Sequence, residues 1–261
     1  MKLWLARWVC LEVEDNLRRL PDACARAAGA AADVAIFPES FLNGYTRQVE
    51  PGRAREAFAA GSAAHPDTTF VFGSITEGRR NRVTVWRAGR EVARYDKVHL
   101  FEPNRENEIW EEGRRYVAFE LNDRRIGLLN CNDLRFPEQA RALCLNAACD
   151  TLLAVAWWPW RRDHVWRALL RARAIENAVF VAGCCVAASV HPGEEFSGAG
   201  NHVFDPHGEP VRTADDHAYL LDPERARDPV IDPRASHRGI AEVEVFGNDG
   251  RGRVAAMGLR C

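Results

Sequence analysis

Apolar positions along this chain alternate between short continuous runs and stretches with helical spacing, from one end to the other. Residues Leu3–Leu11 form an apolar stretch interrupted by Arg7 and read as a first strand. Asp15–Gly29 repeats its apolar positions with the period of an amphipathic helix, and Gly29 supplies the stop. The run DVAIFP ends at Pro38, which places Glu39 just beyond the carboxyl end of a short buried strand. A helix around Ala54–Ala64 follows. TTFVFGSI and RVTVWRAGREVARYDKV read as strands, with a hairpin turn at Ala88-Gly89. RIGLLNC runs as one apolar strand into Cys131, and Pro137-Glu138 then opens a helix, with proline in its first turn. TLLAVAWW reads as strand, HVWRALLRARAIEN as helix, VFVAGCC as strand, and NHVFDPHGEPV as a hairpin turning at Asp205-Pro206-His207-Gly208. The alternation predicts one α/β domain over residues 1–261, in which the weakly patterned 221–261 stretch is a C-terminal arm or a partner-contacting segment.

Composition narrows the function classes. The 261 residues suit one large domain, or at most two. Charged residues make up 28 % and the formal net charge is -2, with acids and bases interspersed. No basic stripe with interleaved aromatics exists, so nucleic acid is not an expected partner. No stretch nears the roughly 18 uninterrupted apolar residues of a membrane helix, and the N-terminus lacks a signal-peptide pattern. The eight cysteines include no Cys-x-x-Cys pair, and adjacent Cys184-Cys185 is a poor chelating arrangement. A cytoplasmic, thiol-containing protein without a metal site or cofactor is the expectation.

Ligands of α/β sheets bind outside the carboxyl ends of strands. Glu39, Cys131, Trp157 and Trp158 all fall at such ends. A sharp turn between strand and helix would expose the Cys131 sulfur, and the helix N-terminus would stabilise its thiolate. On pattern alone Cys131 is a candidate among eight cysteines, most of which read as small core hydrophobes.

The segment NCNDLRFPE around Cys131 resembles the cysteine motif of the nitrilase, or carbon–nitrogen hydrolase, superfamily. Three more blocks match in the family's order. IFPESFLNGY resembles the first-glutamate motif and implies Glu39 as base; YDKVHLF resembles the lysine motif and implies Lys97. HVWRALLRARAIENAVFVAG resembles the block that follows the nucleophile, and NHVFDPHGE agrees more weakly. The overall pattern looks closest to the omega-amidase-like branch, which acts on monoamides of dicarboxylic acids. The family has a second glutamate between the lysine and cysteine motifs, for which Glu102, Glu106, Glu108, Glu111 and Glu112 compete. Counting back seven positions from Gly113 favours Glu106, with Glu108 the main rival.

The resemblance implies a four-layer αββα sandwich whose monomers pair into an αββα–αββα homodimer, and a catalytic set of Glu39, Lys97, Glu106 and Cys131. It implies hydrolysis of a small linear amide to carboxylate and ammonia through a cysteine thioester. A nitrilase, a carbamoylase, an acyltransferase and a silent interaction protein of the same fold are the alternatives. Asn132 stands where many relatives carry an aromatic, and Trp157-Trp158-Pro159-Trp160 where they often have Asn-Trp-Pro. Asn132, Trp157 and Trp158 are therefore the expected substrate-binding residues. His99, His164 and His202 leave a Cys–His dyad open only if His164 folds against Cys131.

Overall fold

The computed structural model describes residues 1–45, 47–196, 200–213, 215, 217–222, 224 and 225, with the backbone of two strands at 242–246 and 252–256. In chain order, β1 (Lys2–Leu5) and β2 (Val9–Cys10) lead to α1 (Val13–Gly29), β3 (Val34–Ile36) and α2 (Pro51–Ala64). Strands β4 (Thr69–Glu77), β5 (Arg80–Arg87) and β6 (Arg90–Asp96) precede the one-turn helix α3 (Glu106–Ile109). Then come β7 (Ala118–Leu121), β8 (Arg124–Asn130), α4 (Pro137–Asn146), β9 (Thr151–Ala156), α5 (Asp163–Asn177) and β10 (Phe180–Cys185). Short strands β11 (Ala188–Ser189), β12 (His202–Phe204) and β13 (Ala218–Leu220) complete the body.

One sheet has the order β13-β1-β3-β4-β5-β6 and the other β12-β10-β9-β8-β7. The central strands β1, β3 and β4, and likewise β8, β9 and β10, run parallel. Strands covered on both faces need continuous apolar sequence, which VAI of β3 and TLLAVA of β9 supply. Leu3, Leu5, Val34, Ile36 and Val71 of the first sheet meet Ile126, Leu128, Leu153, Val155 and Phe180 of the second in the central core. The outer face of the first sheet packs on α1 and α2 through Leu20, Cys24 and Phe58 against Phe37, Phe70 and Phe72. The outer face of the second packs on α4 and α5 through Leu143, Trp166 and Leu170 against Leu152, Ala154 and Val181. The layer order is αββα, as the family resemblance implies.

The stretch Leu3–Leu11 differs from its expected single strand. Pairing with β3 ends at Leu5, and β2 pairs instead with β11. Trp4, Ala6, Trp8 and Cys10 still alternate onto the helical side, and the Trp8 indole N–H donates to the Phe41 carbonyl at 2.7 Å. The predicted arm at 221–261 lies almost wholly outside the described residues. Among its described residues the backbone forms an antiparallel pair, β14 (Glu242–Phe246) with β15 (Gly252–Ala256). No helix among the described residues is long and apolar enough to cross a membrane.

The end of β3 is fixed by a close backbone approach. A Cβ on Gly73, within the register shift of β4, would stand 1.9 Å from the Pro38 carbonyl oxygen. Relief requires moving backbone directly beside Glu39. Gly73→Ala is therefore expected to cost about 3 kcal/mol of stability. A guanidinium unfolding midpoint equal to that of the parent would reject this account.

Candidate active site

Three charged side chains from separate elements converge at the carboxyl ends of the strands. Glu39 follows Pro38 at the end of β3, and its side chain is completely buried. Its Oε1 accepts from Lys97 Nζ and from Asn81 Nδ2, each at 3.0 Å, while Oε2 accepts from the Trp157 backbone N–H at 3.0 Å. Lys97 lies just past β6, held by its N–H to the Asn81 carbonyl (2.9 Å) and by its carbonyl to the Gly113 N–H (2.8 Å). A Cβ on Gly113 would meet the Asp96 carbonyl oxygen at 2.0 Å, so this tie requires glycine. Glu106 opens α3 and accepts from Lys97 Nζ at 3.0 Å, from the Tyr45 hydroxyl at 3.0 Å and from the Phe101 N–H at 2.8 Å. The rival Glu108 is exposed and pairs with Arg105. Of the two, only Glu106 reaches Lys97.

The electrostatics follow from burial. Removal from water opposes charge on Lys97, but Glu39 and Glu106 outweigh it and hold the ammonium well above the usual lysine range. Burial pushes the Glu106 carboxyl up; Lys97 pulls it down and the Glu39 charge raises it further.

Cys131 follows β8 with φ 52°, in the left-handed region that tilts a side chain out of the strand direction. A short 3-10 turn, Cys131–Arg135, separates it from α4. The Asp133 carboxylate pins that turn. It accepts from the Asn130 N–H (2.8 Å), the Tyr95 hydroxyl (2.6 Å), the His99 N–H (2.9 Å) and His99 Nδ1 (2.9 Å). One buried carboxylate thus joins the cysteine turn to the loop that carries Lys97. The expectation that a helix N-terminus stabilises the thiolate is corrected here. Helix α4 begins only at Pro137, and the Cys131 thiol is pushed well above its ordinary range. Burial is the largest cause; the Glu39 charge adds to it and Lys97 opposes it. At rest the group is a thiol, with Sγ 4.0 Å from the Trp157 carbonyl oxygen and the Glu39 charge acting on it.

The pocket above Cys131 is small, about 20 Å³, and its walls include Tyr45, Asn132, Trp157, Trp158 and Arg162. Asn132 lines it as expected, but its amide NH₂ is spent on the His99 and Leu100 carbonyls at 3.3 and 3.1 Å. Trp157 presents its backbone N–H to Glu39, and its ring packs 5.7 Å from Tyr45 and 5.0 Å from Phe196. The Trp158 ring packs 5.2 Å from Trp166, with the Arg135 guanidinium 4.9 Å from its centroid. His164 is exposed and His202 faces Asp163, so neither forms a dyad with Cys131. Among the described residues no cluster of three or more His, Cys, Asp or Glu could hold a metal ion.

Sequence reading missed Tyr45 and Asn81. Tyr45 sits inside the matched glutamate block but carries no distinguishing pattern. Asn81, on β5, donates to Glu39 and accepts from Asn130 Nδ2 at 3.0 Å, and so spans the base and the nucleophile turn. Near a turn it looks like a solvated polar residue. Asn81→Ala is expected to lower kcat about tenfold with a smaller change in KM, because it loosens the alignment of Glu39 rather than a substrate contact. An equal rise in KM with unchanged kcat would contradict that role.

Comparison with known proteins places this architecture. The carbon–nitrogen hydrolase family matches residues 5–224, and the chain belongs to that family, within the nitrilase superfamily. It is an enzyme of the class that hydrolyses carbon–nitrogen bonds other than peptide bonds. Its relatives include proteins of the omega-amidase-like branch. The chain is 35 % identical over 192 residues to the omega-amidase YafV of Escherichia coli K12, covering 71 % of this chain and 73 % of that protein. It is 34 % identical over 188 residues to the 2-oxoglutaramate amidase of Bacillus subtilis, covering 68 % and 71 %. The fold is shared with Nit3 of Saccharomyces cerevisiae (TM-score 0.75, 22 % identity, 87 % and 91 % of the two chains). It is also shared with a CN-hydrolase superfamily protein of Xanthomonas campestris (TM-score 0.76, 24 % identity, 95 % and 99 %).

Proposed function

We propose that this enzyme hydrolyses the amide of a small linear monoamide of a dicarboxylic acid, through a thioester on Cys131. The observation that carries the reading is a fully buried ammonium, Lys97, held by Glu39 and Glu106, with the Cys131 thiol within reach of the Glu39 and Lys97 charges. The relatives named omega-amidase and 2-oxoglutaramate amidase support the substrate class.

Because the resting group is a thiol, attack needs a base. Glu39 takes the Sγ proton as sulfur bonds to the amide carbon. The carbonyl oxygen becomes an oxyanion facing the Lys97 ammonium and the Asn132 backbone N–H, a first-turn donor that has no intrahelical acceptor. As the C–N bond breaks, Glu39 returns the proton to nitrogen and ammonia leaves. Glu39 then takes a proton from water, whose oxygen attacks the thioester; sulfur departs and recovers the proton. Glu106 holds Lys97 in place throughout and so acts as a positioning residue.

Ammonia release screened across linear amides, carbamoyl amines and nitriles tests the reaction class. Mass spectrometry of enzyme quenched during turnover should show an acyl adduct on the peptide containing Cys131. Nitrile consumption, or transfer of the acyl group to an added amine or thiol instead of water, would replace this reading with one of its rivals. A cytoplasmic setting and pairing of two copies through α5 accord with the proposal. Ile175 on that helix is 49 % exposed. A monomer in light scattering at micromolar concentration would remove the pairing.

A further inference from the structure

His191 is 6 % exposed, yet neither Nδ1 nor Nε2 has a hydrogen-bond partner. Buried ring nitrogens in that state are costly and rare, and they call for a missing partner. The ring is wedged beside Trp157 in space that only a glycine leaves free. A Cβ on Gly44 would stand 2.8 Å from His191 Cδ2 and 3.2 Å from Trp157 Cη2. His191 lines an outer cavity of about 280 Å³. That cavity shares Tyr45, Asn104, Trp157 and Arg162 with the inner pocket above Cys131, so the two adjoin.

The charge in this outer space comes from Arg162. Its guanidinium lies 5.4 Å from the Phe101 ring centroid, and among the described residues no carboxylate forms a salt bridge with it. Glu194, which also lines the cavity, is taken by Arg161 through contacts of 2.6 and 3.1 Å. The space is therefore lined by one guanidinium that makes no salt bridge among the described residues, with the Glu194 charge acting on it, and by one imidazole whose ring nitrogens lack a partner. A planar carboxylate can accept from both at once.

We propose that His191 and Arg162 form a distal subsite that holds the far carboxylate of the amide substrate while its amide carbon lies at Cys131. The proposal rests on the amidase reading above and names the residues that would select an acid-terminated chain. Trp157, shared by the two cavities, forms the wall between the reacting end and the anchored end.

The test needs no turnover. Cys131→Ala protein is titrated with the monoamide of glutaric acid and with pentanamide, which replaces the carboxylate by a methyl group, using tryptophan fluorescence. The acid-terminated amide is expected to bind about 100-fold tighter, since a site built for a polar group rejects the analogue that lacks it. His191→Phe, which keeps a flat ring, and Arg162→Gln should each reduce this preference about tenfold, and Arg162→Lys should retain part of it. Thermal melts confirm that each variant is folded. Equal binding of the two amides, or a preference that survives both substitutions, overturns the subsite. Ammonia release by the Cys131→Ala protein would instead overturn the catalytic reading, so the two failures are read separately.

Discussion

Cys131→Ala protein is expected to release no measurable ammonia from any amide that the parent hydrolyses, a loss on the order of 10⁴-fold or more. The alanine removes the sulfur that must become the thioester, and no other nucleophile takes its place. The other described cysteines are buried in the cores: Cys10 and Cys24 on the helical side of the first sheet, Cys184 between the sheets, and Cys144, Cys149 and Cys185 on the helical side of the second. Burial pushes the Cys24 and Cys149 thiols up to about 12, where they are inert at neutral pH. Cys131 is also pushed up, but it alone has a carboxylate acceptor for its proton and a pocket over its sulfur. Glu39→Gln should therefore approach the same loss, since the amide cannot take that proton. Steady release of ammonia by Cys131→Ala at even a hundredth of the parent rate would sink the thioester route.

Lys97→Ala is expected to damage both rate and stability. Loss of one preorganised oxyanion donor lowers kcat by about 10² to 10³-fold. Removal of the one cation among the described residues that both Glu39 and Glu106 contact leaves buried acids unpaired, a cost of about 3–5 kcal/mol. The pH dependence has a definite sign. Lys97 is the influence that pulls the Glu106 carboxyl down, so in the variant that carboxyl rises further. A group whose folded pKa is raised keeps its stability at low pH and loses it as pH rises through that pKa. The gap in Tm between parent and variant should thus be wider near about pH 8 than near about pH 5. A gap that is constant, or wider in acid, would show that the lysine does not neutralise the pair. Lys97→Arg should not restore activity, because the completely buried site has no room for a guanidinium.

Much of the fold was legible because the central strands are covered on both faces. That condition forces runs such as TLLAVA and RIGLLN to be apolar throughout, and it separates them from helices with a period of 3.6. The Leu3–Leu11 stretch shows the limit. Its alternation survives as Trp4, Ala6, Trp8 and Cys10 on one face, but backbone pairing ends at Leu5. Side-chain period reports which face is buried and not which neighbour a strand pairs with. The choice between Glu106 and Glu108 has the same character. Both stand in one acidic stretch, and only the one-turn helix after Arg105 aims one of them at Lys97 and leaves the other in solvent.

The order of blocks along the chain, from IFPESFLNGY through YDKVHLF to NCNDLRFPE, was enough to determine the family, the αββα layers and the position of the sulfur to test first. Chemistry of this kind needs particular residue types just past strand ends, and strand ends are marked locally by Pro38 and by the run into Cys131. Tertiary structure decided the rest. Hydrogen bonds across 42 residues (Asn81 to Glu39), 118 residues (Trp157 to Glu39) and 38 residues (Tyr95 to Asp133) leave no local pattern, because each partner looks like an ordinary polar, aromatic or acidic residue. The protonation state of Cys131 was decided there as well. Proximity to a helix start suggested a thiolate, while burial beside Glu39 makes it a thiol that needs a base. Burial and the summed charge of distant neighbours are properties of the packed molecule, and they set the pKa of a sulfur whose position the sequence alone had marked.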